Sequence, residues 1–181
     1  GAYTLAAQFP ETVERLAIFE WALPGTGFIE AAWTPQPEGN YLWHMGLQSV
    51  PDIAEVLIRN SLRPFMDFFF NNYAAVRGAI SAESLDHYVG LYEQPGALRA
   101  LMAIYRELWV DADQTAVHLE KPLKMPILAY GGDACWGSAT FESFKLAGQD
   151  VTGGIIPMCG HWVAEEQPEF VLTELKAFLA R

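Results

Sequence analysis

Basic residues are scarce in this chain: 11 Lys and Arg stand against 22 Asp and Glu, a formal charge of −11 over 181 residues. So acidic a surface repels phosphate backbones and anionic lipid, which argues against nucleic-acid and membrane-surface partners. Long apolar runs are lacking too. No stretch approaches the ~20 consecutive apolar residues of a membrane span. No basic segment followed by an apolar one opens the chain, so no secretion signal is visible. Cysteine is nearly absent: Cys135 and Cys159 form neither a CxxC nor a zinc spacing, and reduced thiols in a cytoplasm are the plain expectation. His44, His87, His118 and His161 show no HxxxH or HExxH spacing, so no metal site and no cofactor is expected. Apolar character is what the chain has: 51% of residues are hydrophobic and 18% charged, which excludes a disordered chain. The length suits one domain with a sizeable core, or one domain plus an insertion.

Residue 1 is Gly, and Ala2, Leu5, Ala6 and Phe9 fall at i, i+3, i+4, i+7 with no N-cap before them. That pattern predicts a helix, and a protein, that begin upstream. Pro10 to Val13 reads as a turn and Leu16–Trp21 as a short, continuously apolar strand, covered on both faces. Trp21 to Asn40 is punctuated by Pro and Gly and reads as loop. From about Tyr41 to Asp113 the pattern is helical: PDIAEVLIRN, an unusually aromatic SLRPFMDFFFNNYAAV, SAESLDHYVGLY capped by Ser81 or Ser84, and a long helix after Pro95-Gly96. In that helix Leu98, Leu101, Met102, Tyr105, Leu108 and Trp109 make an apolar stripe. Beyond Lys121-Pro122 come a strand in MPILAYGGD, a helix Ser138–Ala147, a strand Gly153–Met158, the loop CGHW, and a closing helix from Gln167-Pro168 with Val171, Leu175, Phe178 and Leu179 facing inward.

Strands alternating with crossover helices imply an α/β chain with a mostly parallel sheet. About three strands are visible, fewer than the ~5–6 of a typical sheet, so part of the sheet is expected outside the chain. The long helical block between two strands reads as an inserted cap. The division is a core segment over 1–23, a helical cap over 24–120 and a second core segment over 121–181.

Ligands of open parallel sheets bind beyond the carboxyl ends of the strands. Asp133 follows one strand in AYGGD, and His161 follows another in MCGHW. Adjacent strands would bring both to one edge, as an acid that orients a histidine and a histidine that activates a nucleophile or water. Taken singly, Asp133 could be a turn former after Gly131-Gly132 and His161 a loop residue; together, in strand context, they favour function. A nucleophile elbow, Gly-x-nucleophile-x-Gly, is absent. Neither Ser138 nor Cys135 has flanking glycines, and Cys159 is too near His161 along the chain. The attacking group is therefore expected upstream of Gly1, just before the first helix.

The runs AYTLAAQFPETVERLAIFEWALPGTGF, YLWHMGLQSVPDIAEVLIRN, QPGALRALMAIYREL, MPILAYGGDACWG and MCGHWVAEEQPEFV together resemble the α/β-hydrolase superfamily. The nearest branch is the epoxide hydrolase-like group, with the haloalkane and haloacetate dehalogenases. The likeness covers essentially the whole chain. It implies the second half of the fold: the helix after the elbow, the sixth strand, the helical cap and the last two strands. By resemblance His161 matches the family's water-activating histidine and Asp133 its partner acid. Glu20 matches a position where some relatives keep the acid, and with Asp133 present it is read instead as a polar residue at the sheet edge. Tyr105 falls where epoxide hydrolases keep one of two cap tyrosines that hold the epoxide oxygen, although its stripe also suits plain core. At the other tyrosine position stands His44, beside Trp43; either the pair donates N–H groups to a leaving oxygen or halide, or it is a packed aromatic pair. Tyr41 is near enough that a small shift of alignment restores a tyrosine.

The implied activity is hydrolysis of small apolar molecules through an alkyl-enzyme ester, in the manner of epoxide hydrolases. Dehalogenation, serine-dependent ester hydrolysis and a non-catalytic ligand-binding role are the alternatives. The expected partners are a small-molecule substrate and the N-terminal half of the same protein, without which the chain should be inactive.

Overall fold

The computed structural model describes residues 1–33 and 42–181; Tyr41 lies outside them. Three strands, β1 (Leu16–Phe19), β2 (Ile127–Gly132) and β3 (Val151–Ile156), form a parallel sheet in the order β1-β2-β3. Leu16 pairs with Ile127 and Ile127 with Val151, so all three carboxyl ends reach the same edge. Apart from half-buried Tyr130, β2 is buried along its length, as a central strand covered on both faces must be. On one face α1 (Ala2–Gln8) and α9 (Ser138–Ala147) pack Tyr3, Ala6, Phe144 and Ala147 against Leu16, Ile127 and Ala129. On the other, Ile156, Cys159 and Val163 pack with Phe19, Tyr130 and residues Phe170 and Val171 of α11 (Pro168–Leu179).

Between β1 and β2 run the helices α2 (Phe28–Trp33), α3 (Trp43–Ser49), α4 (Ile53–Arg59), α5 (Leu62–Tyr73), α6 (Ala82–Tyr92), α7 (Ala97–Arg106) and α8 (Leu108–Leu119). They enclose their own apolar cluster around Met45, Met66, Phe69 and Met102. Ser81, not Ser84, caps α6, its hydroxyl accepting from Ser84 N at 3.1 Å. No helix among the described residues is long and apolar enough to cross a membrane.

Several sequence expectations shift. The first helix buries Tyr3 and Ala6, while Leu5 and Phe9 are about half exposed. β1 stops at Phe19, and β3 lies two residues earlier than the apolar run suggested. A short helix, α2, lies within the stretch read as loop. The long helix after Gly96 is two, divided at Glu107. The first ends on Arg106, whose guanidinium reaches Glu55 of α4 at 2.6 Å. Trp109, placed on the inner stripe, instead faces outward and stacks on Trp33 with ring centroids 5.3 Å apart. In α11 Phe178 is buried and Leu179 is exposed.

Candidate active site

Glu20 follows the last residue of β1 with φ +52°, a left-handed backbone that is uncommon outside glycine. Its N–H still donates to Tyr130 O at 2.8 Å, which fixes the turn against β2. The side chain is 4% exposed and folds over the sheet edge. Oε1 accepts from Gly132 N at 2.6 Å and Trp136 N at 3.1 Å, and Oε2 accepts from His161 Nδ1 at 3.0 Å. Three N–H donors answer the cost of removing this carboxylate from water. The His161 loop packs directly on Gly132: a Cβ there would lie 2.3 Å from Cys159 O and 2.4 Å from Gly160 O.

The loop that carries His161 is held at every step. Asp133 Oδ2 accepts from Met158 N at 2.9 Å and Oδ1 from Cys159 N at 3.0 Å. Glu166 Oε1 accepts from Gly160 N at 3.0 Å and Trp162 N at 3.1 Å, while its Oε2 accepts from Ala75 N at 2.7 Å. His161 N donates to Tyr73 O at 2.7 Å, and Trp162 Nε1 to Phe70 O at 2.8 Å. Gly160 presses on the end of α5, where a Cβ would meet Tyr73 O at 2.2 Å. His161 is thus fastened both to the sheet and to the cap.

This geometry corrects the expected pairing of Asp133 with His161. Asp133 is an exposed residue whose carboxylate faces the backbone of Met158 and Cys159; those N–H groups hold its pKa below the usual carboxylate range. Glu20, read from the sequence as a sheet-edge residue, is the acid hydrogen-bonded to His161. Asp133 braces the turn three residues before the histidine, at Met158 with φ +52°.

His161 opens on two adjoining spaces under the cap. One, of about 40 Å³, is lined by His44, Phe69, Tyr73, Tyr105, Cys135 and Trp136 among others. The second, of about 300 Å³, extends between α3, α5, α6 and α7 and includes Tyr105, His161 and Trp162. Tyr105 and His44 therefore share a space with His161, and their own rings meet edge-on with centroids 5.7 Å apart. Burial, reinforced by Tyr92, pushes the Tyr105 phenol up to about 12. Burial, and then the charge of His161, lower His44 to about 4, so its imidazole is neutral at ordinary pH. His44 Nδ1 lies 2.7 Å from the Tyr73 hydroxyl. Trp43 does not join this group: it lines neither space, and its ring packs edge-on against His44 and tilted against exposed Phe68. Phe68 and Trp109 are surface residues.

Cys135 Sγ lies 3.9 Å from His161 Nδ1, and Glu20, Cys135 and His161 each bring a ligand atom within 4.8 Å of one another. The fold assembles this trio from distant parts of the chain, which no spacing rule detects. Burial, then the negative charge of Glu20, push the thiol pKa far up, so it is a protonated neighbour rather than a nucleophile. Sequence reasoning missed Glu166, and it saw Tyr73 only as one of the cap aromatics that suit an apolar pocket. Glu166 sits in an ordinary acidic run, VAEEQPE, and nothing local marks it as the clasp between loop and cap.

No family model matches the chain. It is 31% identical over 185 residues to a soluble epoxide hydrolase of Corynebacterium sp. (strain C12), an alignment that covers 98% of this chain and 62% of that protein. The chain thus spans about three fifths of the length of this curated relative. Among solved structures, the Cif epoxide hydrolase from Acinetobacter nosocomialis superposes with a TM-score of 0.89 at 27% identity, over 98% of this chain and 57% of that one. Cfl2 from Burkholderia cenocepacia superposes with a TM-score of 0.81 at 29% identity, over 96% of this chain and 59% of that one.

Proposed function

We propose that the chain is the cap and base-bearing portion of an epoxide hydrolase-like enzyme of the α/β-hydrolase superfamily, acting on small apolar epoxides. The observation that carries the reading is the His161 Nδ1 to Glu20 Oε2 bond of 3.0 Å, in a histidine that shares a space with Tyr105 and His44. The attacking group is a carboxylate from a segment outside this chain, and alone the chain is inactive. A carboxylate oxygen attacks one epoxide carbon and the ring C–O bond breaks. The freed alkoxide takes a proton from the Tyr105 hydroxyl, while His44 Nε2 donates a hydrogen bond to it. With the Tyr73 hydroxyl donating to Nδ1, the neutral His44 ring keeps its proton on Nε2. Donors already aimed at the developing oxyanion are the economical means of stabilising it. Water then gives a proton to His161 Nε2, Glu20 steadies the resulting imidazolium, and hydroxide attacks the ester carbonyl. The acyl C–O bond breaks as the hydroxyl proton of the tetrahedral intermediate passes to the leaving oxygen, and the proton held by His161 returns to the Tyr105 phenolate, so that the diol leaves with the carboxylate, the base and the phenol restored.

A carbon–halogen substrate would use the same base and the same donors, which suit a halide as well as an alkoxide. A serine in place of the upstream carboxylate would turn the site to ester hydrolysis. The two free thiols accord with the reducing cytoplasm proposed for the protein.

The test is the full-length protein against its His161→Gln variant on styrene oxide and on haloacetate. The variant should lose turnover and gain, as a trapped ester, the mass of one styrene oxide molecule or of one haloacetic acid less hydrogen halide. Equal turnover by both proteins would remove the enzymatic reading.

A further inference from the structure

Gln48 is 1% exposed, yet its Oε1 has no hydrogen-bond partner among the described residues. It lines the 300 Å³ cavity together with Phe65, Phe69, Leu101, Tyr105 and His161. An unmatched amide oxygen buried in apolar surroundings is costly to the free protein, and a ligand that brings a donor removes that cost. The position of the residue narrows the donor's place. Gln48 follows His44 by four residues on α3, and both are buried, so they share one helix face a single turn, roughly 6 Å, apart. Across the cavity Leu101 and Tyr105 have the same spacing on α7, which packs against α3. Beside the Tyr105–His44 end the walls are aromatic and aliphatic, whereas the Gln48 end presents an acceptor. Glu165, also at this cavity, already accepts from the Tyr88 hydroxyl, and its charge disfavours an anionic ligand.

We propose that Gln48 determines specificity: its amide oxygen accepts a hydrogen bond from a hydroxyl or amide N–H of an otherwise apolar epoxide, one helical turn from the reacting oxygen. This rests on the epoxide hydrolase reading above, with His44 and Tyr105 at the reacting end.

The test pairs 5,6-epoxyhexan-1-ol with 1,2-epoxyheptane, which replaces the hydroxyl by a methyl group. The ratio of their kcat/KM values is measured for the full-length protein and for Gln48→Met, a substitution of similar length that removes the unmatched oxygen. Gln48→Leu is run alongside should Gln48→Met fold poorly. The ratio should fall in favour of the methyl compound by at least ~10-fold in the variants, since a site built around a substrate hydroxyl discriminates strongly. Ratios that agree within about twofold across the three proteins would overturn the proposal. Binding of the unreactive hexane-1,2,6-triol and heptane-1,2-diol, followed by NMR, separates this result from the reaction itself. If neither epoxide is turned over but the triol alone loses affinity in Gln48→Met, the subsite stands and the hydrolase reading falls. If the triol and the diol respond alike, the subsite falls.

Discussion

Replacing Glu20 by Gln tests the acid without emptying its place. The carboxamide oxygen can still accept from Gly132 N and Trp136 N, which now bind Oε1 at 2.6 and 3.1 Å. Its NH2 group then faces His161 Nδ1, where Oε2 stood at 3.0 Å. Two donors cannot meet, so the imidazole must carry its proton on Nε2 and accept at Nδ1. The nitrogen that should take a proton from water is then already occupied. The equivalent wrong-tautomer substitution in serine-protease triads costs about 10⁴ in kcat. A loss of ~10³–10⁴, or about 4–5.5 kcal/mol of transition-state stabilisation, is expected here. Ring opening does not need the base, so the ester should accumulate at an undiminished rate in rapid-quench experiments on the full-length protein, while steady-state diol formation collapses. Asp133→Asn is the control. It weakens the brace on Met158 and Cys159 but leaves the imidazole tautomer alone, and turnover should fall less than ~10-fold, as for most surface substitutions. A thousandfold loss in Asp133→Asn with near-normal turnover in Glu20→Gln would refute the assignment.

His44 makes a pH prediction whose sign follows from linkage. Its folded pKa, about 4, lies below the ordinary value of 6.5, so the unfolded chain binds more protons between these limits. Stability is full above pH 6.5 and is lost as pH falls toward 4, by roughly 3 kcal/mol from this group; denaturant titrations of the full-length protein and His44→Leu at pH 7 and pH 4 should differ by that amount. Tyr105→Phe should lower kcat by ~10²-fold with little change in KM, as expected for a donor used mainly in the transition state. Because the phenol titrates only at about 12, the wild-type rate should not decline below pH 10 through this group, which a pH–rate profile reads directly.

The architecture was legible because it rests on apolar periodicity and on Pro and Gly punctuation, which act locally. Strand identity, the cap and the approximate place of His161 follow from those. The parallel register, Phe19 against Tyr130, then sets where each strand ends at the site edge. Less legible were features that depend on what a side chain meets across the fold. Trp43 and Trp109 have the composition of pocket residues, but their rings turn to Phe68 and Trp33. Tyr73 lies in an aromatic run that reads as core; its backbone oxygen holds His161 and its hydroxyl lies 2.7 Å from His44 Nδ1.

The acid is the instructive case, since two carboxylates end adjacent strands and the sequence favours the wrong one. Asp133 follows Gly131-Gly132 and sits closer to His161 along the chain, which makes it the natural candidate. But its own N–H donates to Ile156 O at 3.0 Å, which continues the β2–β3 ladder past the strand end. The carboxylate is thereby set beside the backbone turning out of β3, and it is consumed in bracing Met158 and Cys159. With the end of β2 committed to holding the loop, the acid that reaches the ring has to come from β1. Glu20 does so from a left-handed backbone, its carboxylate accepting from Gly132 N, while the absence of a Cβ at Gly132 leaves room for the loop that carries His161. The two acids therefore divide one task, with Asp133 fixing the histidine's backbone and Glu20 fixing its ring.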